Sequence, residues 1–231
     1  RDQILHGHRP PGAPLPSERV LCEALGVNRG SVREALRRLE QARLVSVRHG
    51  GTSHVLDFRE HAGLDLLGAL LLRDDGSIDT TVVRSVMEMR SAIAPDAARR
   101  AAGRRSEAQA EELVARAGDL ADPQATLAEL QERAVGFWST VIDAADNVAY
   151  RLAYNAMRES YDRSRALLAP VLAPELRDAA AYAAIAAAIA TGDPTAAAAR
   201  ATALIGMGEA AVATALEAID RQLAHDREGK A

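Results

Sequence analysis

The stretch Asn28-Arg29-Gly30-Ser31-Val32-Arg33-Glu34-Ala35-Leu36-Arg37-Arg38-Leu39-Glu40 decides the fold. An asparagine side chain can accept a bond from an unpaired N–H of a first helical turn, so Asn28 opens a helix. Val32, Ala35, Leu36 and Leu39 then recur at helical spacing and predict a buried stripe. Arg29, Arg33 and Arg37 fall at i, i+4 and i+8 on a different face. Upstream, Ser17 caps a preceding helix with Val20, Leu21, Ala24 and Leu25 on one face, and Gly26 ends it in the left-handed conformation. Downstream, Leu44-Val45-Ser46-Val47-Arg48 alternates apolar and polar, His49-Gly50-Gly51 turns, and Thr52-Ser53-His54-Val55-Leu56 returns. Two helices joined by a short turn, followed by a two-stranded ribbon, predict a winged helix-turn-helix over residues 1–57.

Before this module, residues 1–8 fit the end of a helix, with Ile4 and Leu5 apolar. Arg9-Pro10-Pro11-Gly12-Ala13-Pro14-Leu15-Pro16 cannot be helix interior and reads as an extended turn. After it the pattern changes. A linker helix is expected over 58–76, and an all-helical domain for effector binding and dimerisation over 77–231. Breaks fall at Arg73 to Gly76, Gly103, Ala121 to Pro123, Ala145-Asp146, Pro170 to Pro174 and Gly192 to Pro194. Helices of roughly 14–27 residues between them suit a multi-helix bundle. Residues Ala179 to Ala203 are dominated by alanine, which favours helix and close helix packing. The fold class is therefore mainly α: a winged helix-turn-helix followed by an all-α helical bundle.

Composition limits the function classes. The 231 residues allow one large or two ordinary domains, and a hydrophobic share of 48% supports packed cores. No run approaches the roughly 18 apolar residues of a membrane helix, and the first residues lack the apolar core of a signal peptide. The expectation is a cytoplasmic protein with no membrane partner. The single cysteine, Cys22, allows neither an internal disulfide nor a cysteine-built metal site. The net charge of −4 hides an asymmetry. Residues 1–59 carry ten arginines against six acidic residues, and the remainder carries 18 basic against 26 acidic. A basic head on an acidic body points to nucleic acid at one end.

Duplex DNA admits one helix in its major groove, and arginine can donate two hydrogen bonds to guanine there. Arg29 and Arg33 sit at the start of the second helix, where it would enter the groove. Ser31, on the same turns, can reach a phosphate or a base, beside the cap residue Asn28. Arg19 opens the preceding helix, placed for the DNA backbone. His49 and Gly50 form the ribbon tip, which can enter the minor groove. On an isolated helix the arginines would read as a solvated face paired with Glu34 and Glu40; between a helix and a wing they read as a DNA surface.

The residues from Pro11 to Gly51, with Leu15-Pro16-Ser17-Glu18-Arg19, Leu25-Gly26-Val27-Asn28-Arg29-Gly30-Ser31-Val32-Arg33-Glu34-Ala35-Leu36-Arg37-Arg38-Leu39 and His49-Gly50-Gly51, resemble the GntR family of bacterial repressors. The resemblance implies that Arg19, Arg29, Arg33, His49 and Gly50 approach an operator. Asn28 stands where that family usually has Ser or Thr, and Gly30 where a side chain is usual, so the bases read are left open.

The later helices resemble the ligand domain of the FadR subgroup. Most of that subgroup holds a divalent metal through an Asp and three His. Here no histidine lies between residues 62 and 224. Ala134 and Trp138 stand where Asp and His are expected, and Tyr182 where another His is expected, so no metal is expected. The closer resemblance is to the fatty-acid-responsive FadR type. It rests on the wing and linker, on Arg90 in Met87-Glu88-Met89-Arg90, and on Asn147-Val148-Ala149-Tyr150-Arg151-Leu152, Asn155-Ala156-Met157 and Tyr161-Asp162-Arg163. It implies a fatty acyl-CoA or fatty-acid-like effector bound near Arg90, Trp138, Asn147, Tyr150, Asn155, Tyr161, Tyr182 and Gly206, and a homodimer on a palindromic operator. Glu209 and Ala213 depart from the Ser and Trp of that type. Alanine- and glycine-rich helices leave room for an apolar channel. The same Tyr and Asn residues could equally satisfy one another in a core.

Three other readings compete. An enzyme lacks support, because there is no Gly-rich phosphate loop, no nucleophile elbow and no Cys/His or Ser/His pairing. A metal-independent regulator of another metabolite, such as an organic acid, remains open. So does a C-terminal domain that only dimerises.

Overall fold

The computed structural model describes residues 1–48, 52–73 and 76–228. The chain divides into two compact units, Arg1–Asp79 and Thr80–Ala231.

The first unit begins with α1 (Asp2–Leu5). Helix α2 (Glu18–Leu25) starts at Ser17, whose hydroxyl accepts from the Val20 N–H, and ends at Gly26 with φ 65°. Helix α3 (Arg29–Gln41) starts at Asn28, whose side chain accepts from the Ser31 N–H. Strands β1 (Val45–Ser46) and β2 (His54–Val55) pair antiparallel, Val45 opposite Val55 and Ser46 opposite His54. The ribbon ladder is shorter than the alternation predicts. The proline-rich segment does more than turn. It runs along the other edge of β2, with Leu15 N–H donating to the Ser53 carbonyl and Val55 N–H to the Ala13 carbonyl. Pro14 suits that edge because an edge position needs no donor from it.

The core of this unit is Ile4, Leu5, Leu44, Val45, Val55 and Leu66. Of the predicted α3 stripe, Val32 is buried, Leu36 and Leu39 are half-buried, and Ala35 is exposed. The predicted α2 face is less covered still: Val20 is 41% and Leu25 65% exposed. Helical spacing identifies a face but not whether another element covers it.

The expected linker helix is broken. Residues 58–76 form α4 (Phe58–His61), a 3-10 turn Leu64–Leu66 and α5 (Leu67–Leu70), then an isolated bridge between Leu72 and Ile78. Ala62 and Gly63 are extended, with ψ 168° and −176°, and interrupt the helix. Glycine lowers the cost of leaving the helix there.

The second unit is all helical: α6 (Thr80–Arg104), α7 (Glu107–Asp119), α8 (Leu127–Ala144), α9 (Val148–Val171), α10 (Ala173–Leu176), α11 (Ala179–Ala190) and α12 (Pro194–Glu228). Ser106 with Gln109 and Thr126 with Glu129 form capping boxes that start α7 and α8. Helix α6 packs along α12, α11 against α7 and α12, and α8 against α9. Small side chains let the backbones approach: Ala97, Ala98 and Ala101 of α6 and Ala197 and Ala201 of α12 are buried. Phe137, Leu113, Leu130, Ile185 and Ile189 fill the remaining core.

The reading that no segment is long and apolar enough to cross a membrane is corrected for α12. Pro194–Gln222 meets that test by length and composition, with a mean hydropathy of 1.4. One side of it is core: Leu204, Ile205, Val212 and Leu216 are buried. A long amphipathic core helix passes the same hydropathy test, so the segment is weak evidence for a membrane.

Candidate DNA interface and effector cluster

Capping geometry sets the presentation of α3. The Asn28 Oδ1 accepts from the Ser31 N–H at 2.9 Å and from its hydroxyl at 3.3 Å. Both residues are exposed, and both side chains are engaged in starting the helix. Arg29 and Arg33 stand on the exposed first turns that follow. Among the described residues Arg29 and Arg37 make no ion pair. Arg33 is tied to Glu18 on α2, and Arg19 pairs with Glu23 one turn along at 2.8 Å. The expected DNA residues Arg19, Asn28, Arg29, Ser31 and Arg33 therefore share the exposed helix-turn-helix surface. His49 and Gly50 lie outside the described residues.

In the second unit the expected effector residues separate into two groups. Four of them gather: Arg90 from α6, Trp138 from α8, Tyr161 from α9 and Tyr182 from α11. Phe137 stacks edge-on against both Trp138, at 5.7 Å, and Tyr182, at 5.2 Å. Tyr182 is fully buried and Trp138 is 7% exposed. The partner that draws them together is Glu175 on α10, a residue the sequence did not single out. Arg90 Nη1 donates to Glu175 Oε2 at 2.9 Å, and Nη2 donates to Oε1. The Tyr182 hydroxyl lies 3.5 Å from Oε1. Burial disfavours the Arg90 charge, yet the adjacent Glu175 carboxylate outweighs it and holds the guanidinium pKa above its ordinary value. Burial pushes the Tyr161 phenol up to about 12 and raises Tyr182 well above its usual range. The Trp138 indole N–H lies close to the Tyr182 hydroxyl and finds no partner at hydrogen-bond geometry.

The other four are elsewhere. Asn147 is the cap of α9, accepting from the Ala149 and Tyr150 N–H groups. The Tyr150 hydroxyl donates to Asp96 at 2.8 Å, in a separate cluster with Arg99 and Arg100. Asn155 is exposed. Gly206 is also exposed, and a side chain there would meet open space. The glycine that faces the cluster is Gly208: a Cβ on it would overlap Glu175 Oε2. The two glycines lie two positions apart on α12, about 200° around the axis, so only one can face inward. Glu209, the departure on the same helix, accepts from the Ser91 hydroxyl at 2.6 Å.

Two open cavities are lined by other residues. One of about 640 Å³ in the first unit is lined by Leu5, Arg9 and Phe58, and one of about 610 Å³ in the second by Glu112, Arg116 and Arg158. Neither includes an expected effector residue. Among the described residues no group of three or more His, Cys, Asp or Glu side chains could hold a metal ion.

Comparison with known proteins agrees with this two-part arrangement. The family model described as "Bacterial regulatory proteins, gntR family" matches residues 1–55, and the FCD domain model matches residues 85–207. The chain is similar to the HTH-type transcriptional regulator Mce2R of Mycobacterium tuberculosis, 41% identical over 92% of this chain and 88% of that one. It is similar to the fatty acid metabolism regulator protein of Escherichia coli O1:K1, 32% identical over 70% of this chain and 66% of that one. Among solved structures it shares its fold with Lar, which controls the expression of the Listeria monocytogenes agr system (TM-score 0.56, 16% identity, 92% of each chain). The chain belongs to the GntR family: it is a DNA-binding transcriptional regulator, not an enzyme, with an FCD effector-binding domain behind its helix-turn-helix.

Proposed function

We propose that the protein binds a palindromic operator in the cytoplasm as a two-fold dimer and is released by a long-chain fatty acyl-CoA or fatty-acid-like effector. Residues 1–57 read DNA, 77–231 bind effector and dimerise, and 58–76 transmit occupancy between them. The observation that carries the DNA half is the exposed, Asn28-capped start of α3, with Arg29 and Arg33 on its first turns. Two recognition helices related by a dimer axis would meet half-sites about one DNA turn apart. Support for the effector half comes from the aromatic and arginine cluster inside the FCD segment, and from the similarity to a fatty acid metabolism regulator. An effector acts only if it binds the DNA-released state better than the bound one.

The test is a mobility-shift titration on an operator selected from the source genome. Long-chain acyl-CoA or free fatty acid at tens of micromolar should dissociate the complex. A complex that survives both ligands removes the fatty-acid effector.

A further inference from the structure

Glu175 occupies the place that a ligand carboxylate would take. It is 2% exposed and receives both arms of the Arg90 fork, with the Tyr182 hydroxyl at 3.5 Å. The space is full, since even a methyl group on Gly208 would overlap its Oε2. Paired N–H groups of one guanidinium facing two carboxylate oxygens are the usual way proteins grip an acid. Here the acid belongs to the protein itself and rides on α10, a single helical turn between α9 and α11. Near the Tyr182 hydroxyl the buried Trp138 N–H finds no partner at hydrogen-bond geometry.

We propose that Arg90, Tyr182 and Trp138 form a carboxylate-binding site that Glu175 fills in the ligand-free protein, and that the effector enters by displacing Glu175 together with α10. This rests on the reading that the C-terminal unit binds an effector, and it narrows that effector to a free acid. Charge balance is the reason. With Glu175 in place, a second carboxylate would put two like charges against one largely buried guanidinium. Exchange of one carboxylate for the other keeps the pair neutral and gives the Trp138 N–H an acceptor. A thioester carbonyl carries no charge and would leave Arg90 without an anion.

Trp138 is the only tryptophan in the chain, so its emission reports on this site directly. The full chain, Glu175→Gln and Glu175→Ala are titrated with octanoate, with inorganic phosphate and octanoyl-CoA as competitors. Both variants should bind octanoate about ten-fold tighter than the unmodified protein. Adding Arg90→Gln should abolish the gain, and neither competitor should displace the acid. Equal affinity in all three proteins overturns the proposal, as does a gain that survives loss of Arg90 or phosphate that competes equally. If Glu175→Gln fails to fold, Glu175→Ala is melted in acetate and in chloride at equal ionic strength. A higher Tm in acetate supports the site, and equal Tm overturns it. The operator titration is independent. Release by acyl-CoA without any octanoate gain sinks only this inference, while an octanoate gain without release by either fatty ligand sinks only the fatty-acid effector.

Discussion

Arg33 on α3 donates through Nε to both carboxylate oxygens of Glu18 on α2, at 3.0 and 3.1 Å. The contact ties the two helices of the DNA-binding module together and holds the side chain expected to read a base. Both partners are well exposed, 63% and 36%, so exchanging Glu18 for a guanine costs little.

Replacing Arg33 with Ala should therefore weaken operator binding by about 1–3 kcal/mol and relax choice at one base pair. Replacing Glu18 with Gln should instead tighten binding slightly to any duplex, because it removes a negative charge from the DNA-facing surface. Fluorescence anisotropy with specific and scrambled duplexes separates the two. Unchanged specificity in the Arg33 variant would remove Arg33 from base readout.

Arg29 has no ion pair to break among the described residues, so its loss should register in DNA binding alone. If it touches a phosphate, Arg29→Ala lowers the slope of log affinity against log salt by about 1. If it reads a base, the slope holds and specificity falls. The thermal midpoint of the free protein should stay the same in either case.

Gly206 and Gly208 should respond oppositely to alanine. A methyl on exposed Gly206 meets open space and removes a helix-interior glycine, so Gly206→Ala should stabilise by roughly 0.5–1 kcal/mol. Gly208→Ala forces the Glu175 carboxylate off Arg90 and should destabilise by about 3–5 kcal/mol, the usual cost of breaking a buried pair. Urea denaturation of both variants checks the contrast, and equal effects would contradict the placement of Glu175.

Asp96 sets a pH dependence. Burial raises its pKa, but bonds from Arg100, Tyr150 and Arg99 outweigh this and lower it to about 2. The group's folded-state pKa lies below its unfolded value, so its contribution is fully present above pH 4. It should be lost as the pH falls from about 4 towards 2. Thermal melts across that range should fall less steeply for Asp96→Asn than for the unmodified protein.

Asn147 should behave as a cap and not as a ligand contact. Asn147→Ala should cost about 1 kcal/mol of stability, since two N–H groups of α9 lose their acceptor. Effector affinity should be unchanged once folding is complete, as measured by Trp138 emission.

The helices, their caps and the arginine face of α3 follow from the chain itself. Each is a local matter: Ser17, Gly26 and Asn28 act within one turn, and periodicity needs only neighbouring residues. The absence of histidine from residue 62 to 224 is equally a property of the sequence. Tertiary structure decided which faces are covered and which polar groups meet. Arg90 and Glu175 are 85 positions apart, and Tyr150 and Asp96 are 54 apart, so no spacing rule could pair them. Resemblance drew Tyr150 and Arg90 into one site. Packing separated them: the Tyr150 hydroxyl goes to Asp96 and the Arg90 guanidinium to Glu175, each a carboxylate that another helix or turn places within reach.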